Sequence, residues 1–164
     1  DYRLERMRSV ESYLTPANPE NDARLEAAFR ALTAGVEAGP WRVAVQGRTL
    51  DFPRMADGVL FTDFATLCER PLGAADYAAI ASRCHTVVLK GIPRLGPSRH
   101  NEAHRFVTLI DTLYEHKVNL VCSADAPAQS LYAEGHGAFE FQRTASRLIE
   151  MQSDDYISSW EDRG

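Results

Sequence analysis

Two arginines four residues apart, Arg143 and Arg147, stand in the block Phe139-Glu-Phe-Gln-Arg-Thr-Ala-Ser-Arg147. On a helix that spacing projects both side chains from one side. Paired guanidinium groups can grip a phosphate bidentately or reach across a subunit boundary. They can equally be surface arginines bridging Glu140, Glu150 or nearby aspartates. Arg94, Arg99 and Arg105, around a strand-to-helix loop, are weaker candidates for the same work.

Other spacings suit other chemistries. His100 and His104 are four apart, which can bring two imidazoles to one metal ion. A zinc-protease motif would need glutamate at 101, where Asn101 stands, and no third ligand is evident in the sequence. Exposed helix residues are the better explanation, and no metal site is expected. Cys122-Ser123-Ala124-Asp125 closes an apolar run and offers a nucleophile or a polar sensor. A nucleophile needs a base in reach and an oxyanion hole, and no nucleophile elbow is present. Ser123 and Asp125 are better read as caps of a helix that follows Pro127. Asp63 ends an apolar run as a Walker B acid does, but lacks the partner acid beside it. A P-loop requires a glycine-rich turn with Lys-Ser/Thr opening a helix. Lys90-Gly91 leads to Ile-Pro instead, so this chain alone is not expected to bind ATP in the standard way.

The elements that position these residues are organised around His85 to Pro127. Thr86-Val-Val-Leu89 is a continuous β-branched run that breaks at Gly91-Ile92-Pro93. Ala103, Phe106, Val107, Ile110, Leu113 and Tyr114 then recur at helical spacing and predict a helix of about four turns ending near His116-Lys117. Val118, Leu120 and Val121 form a second short strand. Apolar runs this short, separated by a helix, predict parallel strands buried on both faces, with ligands at their carboxyl ends. Upstream, residues 1–11 read as the exit from a preceding element. Asn18 and Pro19 open a helix carrying Leu25, Ala28, Phe29 and Leu32 and stopping near Gly35. A hairpin turns at Gln46-Gly47, and a third strand runs Val59 to Phe64, followed by a loop over residues 68–73. Ala74 to Arg83 is a helix with Tyr77, Ile80 and Cys84 on one side. After a short helix at Leu131-Tyr132 and a break at Gly135-His136-Gly137, a final helix starts between Glu140 and Thr144, with Ala145, Leu148, Ile149 and Gln152 inward. The tail from Asp154 is polar apart from Tyr156, Ile157 and Trp160. The fold class is α/β: a short, mostly parallel sheet flanked by helices, with an N-terminal helix and hairpin, in one domain over residues 1–164.

Size and charge agree with this. A chain of 164 residues can bury roughly 70% of its extended surface without disulfides or metals. A net charge of −5 and a pI near 5.5 argue against a general nucleic-acid-binding surface. No apolar run approaches the length of about 20 residues that spans a bilayer, and no signal peptide precedes the first helix, so a cytoplasmic location is expected. Cys68, Cys84 and Cys122 are unclustered and read as reduced thiols. The chain opens at Asp1 rather than methionine, which reads as a processed product or a piece of something longer.

His85-Thr-Val-Val-Leu-Lys-Gly-Ile-Pro-Arg-Leu95, Arg105-Phe-Val-Thr-Leu-Ile-Asp-Thr-Leu-Tyr-Glu115, Ser123-Ala-Asp-Ala-Pro127 and Phe139 to Ser153 together resemble the C-terminal half of the ZapE / AFG-one-like ATPases, P-loop proteins related to the AAA+ class. The resemblance runs from Asp1 to about Tyr156. In the family, the Walker segments lie upstream of a short strand ending in Asp-Tyr-Arg, matched here by Asp1-Tyr2-Arg3. It implies that the full-length protein binds and hydrolyses ATP with Mg2+, works as a ring-like homo-oligomer, and serves bacterial division-ring control or protein quality control. The family's Phe-Glu-Phe-x-Arg-Thr-x-Ser-Arg block is met by Phe139, Glu140, Phe141, Arg143, Thr144, Ser146 and Arg147. By analogy with AAA+ machines, an arginine here contacts nucleotide as a second sensor or intersubunit finger. Departures from the pattern are Cys84 for an aromatic, His104 for an arginine and Asn119 for a lysine, so the long helix has lost basic character.

Three readings follow. In the first, the chain is the C-terminal domain of such an ATPase, supplying arginines and an assembly surface to an upstream core. In the second, it is a non-catalytic module that docks a client or division protein through its hairpin or apolar tail. The third, a small hydrolase acting through Cys122 or Ser123, is disfavoured by the missing base and elbow.

Overall fold

Val87 and Leu89 point to one side of their strand and Val88 to the other, and all three are fully buried. An uninterrupted apolar run requires cover on both faces, and the computed structural model, which describes residues 2–159, supplies it. The elements are α1 Tyr2–Arg8, β1 Tyr13–Leu14, α2 Pro19–Leu32, β2 Gly39–Val45, β3 Arg48–Ala56, β4 Val59–Asp63, α3 Phe64–Cys68, α4 Ala74–Ala81, β5 Thr86–Ile92, α5 His100–Glu115, β6 Asn119–Ala124, α6 Ala138–Glu150 and α7 Asp154–Ser158. Single 3-10 turns lie at Pro97–Arg99 and Ala128–Ser130.

The six strands form one sheet in the order β1-β6-β5-β4-β3-β2. β1, β6, β5 and β4 run parallel, and β4-β3-β2 is an antiparallel meander. The meander follows from its turns: Gln46-Gly47 and Asp57-Gly58 each hold two successive positive φ angles, the geometry that joins twisted antiparallel strands in two residues. On one face, α3 to α6 cover Leu60, Val87, Leu89, Leu120 and Cys122. On the other, α2 lays Leu25, Ala28, Phe29 and Leu32 over Val59, Phe61, Val88 and Val121, with Met7 of α1 and Ile157 of α7 filling the edges. Phe29 meets Phe61 edge to face at 5.4 Å between ring centres.

The α/β class, the hairpin and the β5-α5-β6 unit match the sequence reading, while several boundaries shift. Tyr2 and Arg3, matched in sequence to the end of a strand, lie in α1; Asp1 itself lies outside the described residues. β5 continues through Gly91 because a register shift after Leu89 lets the pairing resume at Ile92. Phe64–Cys68 leaves the third strand as α3, since the Asp63 carboxylate accepts the Thr66 N–H at 2.8 Å and caps it. α6 starts at Ala138, two residues earlier than expected. Ile149 and Gln152 are exposed, their places inside being taken by Phe141 and Thr144. The tail is α7, with Tyr156 and Ile157 buried; Trp160 lies outside the described residues.

Candidate functional site

The arginine block forms α6, whose pattern sorts it into two sides. Phe141, Thr144, Ala145 and Leu148 are buried against the core, and Phe139, Gln142, Arg143, Ser146 and Ile149 are exposed along the opposite side. Phe139 is 80% and Ile149 is 44% exposed, an unusual pair of large apolar side chains on a helix otherwise well partitioned.

α5 and α6 pack side by side, and their seam is polar at both ends. At one end Arg143 and Arg147 meet Asp111. Arg147 donates to one carboxylate oxygen through Nη1, with Nη2 3.8 Å from Glu115, and Arg143 Nη1 lies 3.9 Å from the other oxygen of Asp111. The two arginines are not equivalent. Arg147 is 15% exposed, with its guanidinium carbon 4.6 Å from the centre of the Tyr114 ring, whereas Arg143 is 67% exposed. Tyr114 in turn donates to Glu150 at 2.7 Å, which pushes its phenol pKa up because the proton is held by a carboxylate. At the other end, where the chain enters α5 and α6 from the carboxyl ends of β5 and β6, His100, His104, His136 and Glu140 line a cleft of about 230 Å³ floored by Ala103, Val107 and Phe141.

The remaining candidates scatter. Arg105 donates to the Cys68 carbonyl at 2.9 Å and so closes the C-terminal end of α3. Arg94 is exposed. Ser123 and Asp125 do not cap the turn after Pro127. Ser123 is fully buried and accepts the Gly91 N–H at 2.9 Å, serving the backbone group that the irregularity in β5 would orphan. Asp125 accepts the Ala17 N–H at 3.2 Å, tying the exit of β1 to that of β6. Cys122 beside it is buried, and burial pushes its thiol pKa up to about 12, which removes the thiolate a nucleophile needs.

A family model described as AFG1-like ATPase matches residues 1–159. The chain belongs to the AFG1-like ATPase family. Among curated relatives of this AFG1-like chain, the cell division protein ZapE of Escherichia coli K12 is 34% identical over 157 residues, covering 96% of the chain and 42% of that protein. An uncharacterized protein of Schizosaccharomyces pombe is 34% identical, covering 97% of the chain and 42% of that protein. Lactation elevated protein 1 homolog B of Danio rerio is 31% identical, covering 95% and 38% respectively. The chain therefore spans about two fifths of the length of the curated relatives it matches. No solved structure matches it.

The family name implies ATP, and the residues present do not build its cradle. Lys90 Nζ lies 3.8 Å from Asp22, and the Gly91 N–H is taken by Ser123, so the Lys-Gly step lies within β5 with its donors engaged by other parts of the chain. The sequence reading of this AFG1-like chain offered aspartates, Glu140 and Glu150 as partners of its arginines but did not place Asp111 or Glu115 there. Asp111 and Glu115 are four apart on α5 as Arg143 and Arg147 are on α6, and that matched spacing of opposite charge was the available signal. Among the described residues no helix is long and apolar enough to cross a membrane.

Proposed function

We propose that this chain is the C-terminal part of an AFG1-like ATP hydrolase, and that its α6 is an assembly surface presenting Arg143 to a neighbouring subunit of a homo-oligomer. The nucleotide and its Mg2+ are held by segments corresponding to the three fifths of the relatives that this chain does not span. The observation that supports this reading is the exposed side of α6: Phe139, Gln142, Ser146 and Ile149 form one exposed row with an apolar side chain at each end, and Arg143, 67% exposed, flanks it one turn from Phe139. Arg147 is committed to Asp111 and Tyr114 and holds α6 against α5, which leaves Arg143 as the arginine available to a phosphate. A bacterial relative is named for cell division, so a division protein is the first client to test.

The test is ATP hydrolysis by the full-length protein with and without Arg143→Ala, with light scattering on both. Loss of hydrolysis with assembly intact assigns Arg143 to the nucleotide site of a neighbour. Loss of assembly in Phe139→Ser assigns the row to a subunit interface. Unchanged hydrolysis and assembly in both variants, with loss of a partner, makes the domain a docking module instead.

A further inference from the structure

Three of the five histidines of this chain share one cleft, although two lie on α5 and one on the segment leading into α6. The convergence is built by the backbone. Gly135, at φ +111, lies so close to Pro97 that a Cβ there would stand 2.7 Å from the proline ring, and the Tyr132 hydroxyl donates to the His136 carbonyl. These contacts bring the His136 ring to 5.4 Å from that of His100, centre to centre. Two imidazoles bound through nitrogen to one tetrahedral ion, each about 2.0–2.1 Å from it, have ring centres about 5 Å apart. His104, one turn along α5 from His100, and Glu140, one turn into α6, line the same cleft. Arg99, the nearest cation in sequence, is turned toward Glu69 at 3.9 Å.

We propose that this cleft binds one divalent transition-metal ion of the zinc type, held by His100 and His136 with His104 or Glu140 as the third ligand. As the side chains stand, no three His, Cys, Asp or Glu groups among the described residues are arranged around one point. The third ligand must therefore enter by a rotamer change, which the exposure of His100, His104, His136 and Glu140 permits without disturbing the core. Imidazole-rich sites with one carboxylate favour zinc, nickel or copper over magnesium, so the site is distinct in chemistry from any Mg2+ accompanying ATP.

The experiment is calorimetric titration of the chelator-treated chain with zinc chloride near pH 7.5, with magnesium chloride as the control. The expected result is one zinc per chain, no magnesium binding, and affinity lowered at least about tenfold in His100→Asn and in His136→Asn. His116→Asn, at the far end of α5, should bind zinc as the parent does, and thermal melts without zinc should show all three variants folded. The proposal is overturned if the parent shows no zinc binding below about 1 mM, if the His100→Asn/His136→Asn double variant binds as tightly as the parent, or if His116→Asn loses as much affinity as the cleft variants.

Discussion

Arg147 of α6 lies over the Tyr114 ring of α5 while donating to Asp111 on the same helix, and Tyr114 itself stacks on Tyr156 of α7 at 5.7 Å between ring centres. Three helices are thus joined through one guanidinium group. Removing it by Arg147→Ala forfeits a stacked cation and leaves Asp111, itself partly buried, with Arg143 alone at 3.9 Å. The expected cost is about 1–2 kcal/mol in urea unfolding. Arg147→Lys keeps the charge but loses the planar fork and should recover less than half of that loss. Arg143→Ala should cost under about 0.5 kcal/mol, because an exposed pair at this distance contributes little. Equal losses for the two arginines would remove the distinction between clamp and exposed cation.

The thiols give a second prediction. Cys68, Cys84 and Cys122 are all buried, and burial raises the Cys68 and Cys122 pKa values, the latter to about 12. The native chain at pH 8 should therefore resist alkylation by iodoacetamide over minutes, whereas the urea-unfolded chain takes up three labels. Mass spectrometry of the two reactions reads the difference. Rapid native labelling of Cys122 would reopen the hydrolase reading.

What the sequence disclosed and what it hid divide along a physical line. Period-3.6 and continuous apolar runs reported α2, α4, α5, β5 and β6, because those elements bury a face of their own residues. Asn18 and Gln46-Gly47 marked a cap and a turn through strictly local chemistry, and the structure keeps both. The partners of polar side chains were hidden, since they depend on where the chain returns. Ser123 serves Gly91 thirty-two residues away, and Asp125 serves Ala17 across the sheet. His136 reaches His100 only because Gly135 lets two loops approach, so the third imidazole had no sequence spacing to betray it. β1 was missed because two residues carry no periodicity; it exists by pairing with Cys122 and Ser123.

Acid stability should report on the other face of the sheet. Arg54 grips Glu26 bidentately at 2.7 and 2.8 Å and lies over Phe61 at 4.3 Å. The hydrogen bond from Arg54 holds the Glu26 carboxyl below its ordinary 4.5, against the opposing effect of burial. A carboxylate with a depressed folded pKa contributes stability that is present above its unfolded value and lost as pH falls through the folded one. The urea midpoint should therefore drop on acidification below about pH 5, and Glu26→Gln should flatten that part of the curve. An unchanged pH profile in Glu26→Gln would mean that the pair is already broken in solution.

The tail offers the last prediction, and it bears on docking. Tyr156 was expected to project from a polar tail as part of an exposed apolar surface, yet its ring is buried and its hydroxyl donates to the Val118 carbonyl at 2.7 Å, with the Leu113 carbonyl at 3.2 Å. One acceptor is in the last turn of α5 and the other in the connection to β6, so α7 ties down the passage from α5 to β6. Tyr156→Phe removes one hydroxyl and takes from the buried Val118 carbonyl its 2.7 Å donor, while the Leu113 carbonyl keeps the Val118 N–H at 2.9 Å, an expected cost of about 1–2 kcal/mol in urea unfolding. Hydrogen exchange would localise it: the amides of residues 116–120 should lose protection in Tyr156→Phe while those of β4 keep theirs. A client that bound through Tyr156 would have to peel α7 away first, so its affinity should rise in Tyr156→Phe. If affinity is unchanged, docking belongs to the exposed row on α6, where Phe139 and Ile149 need no such opening.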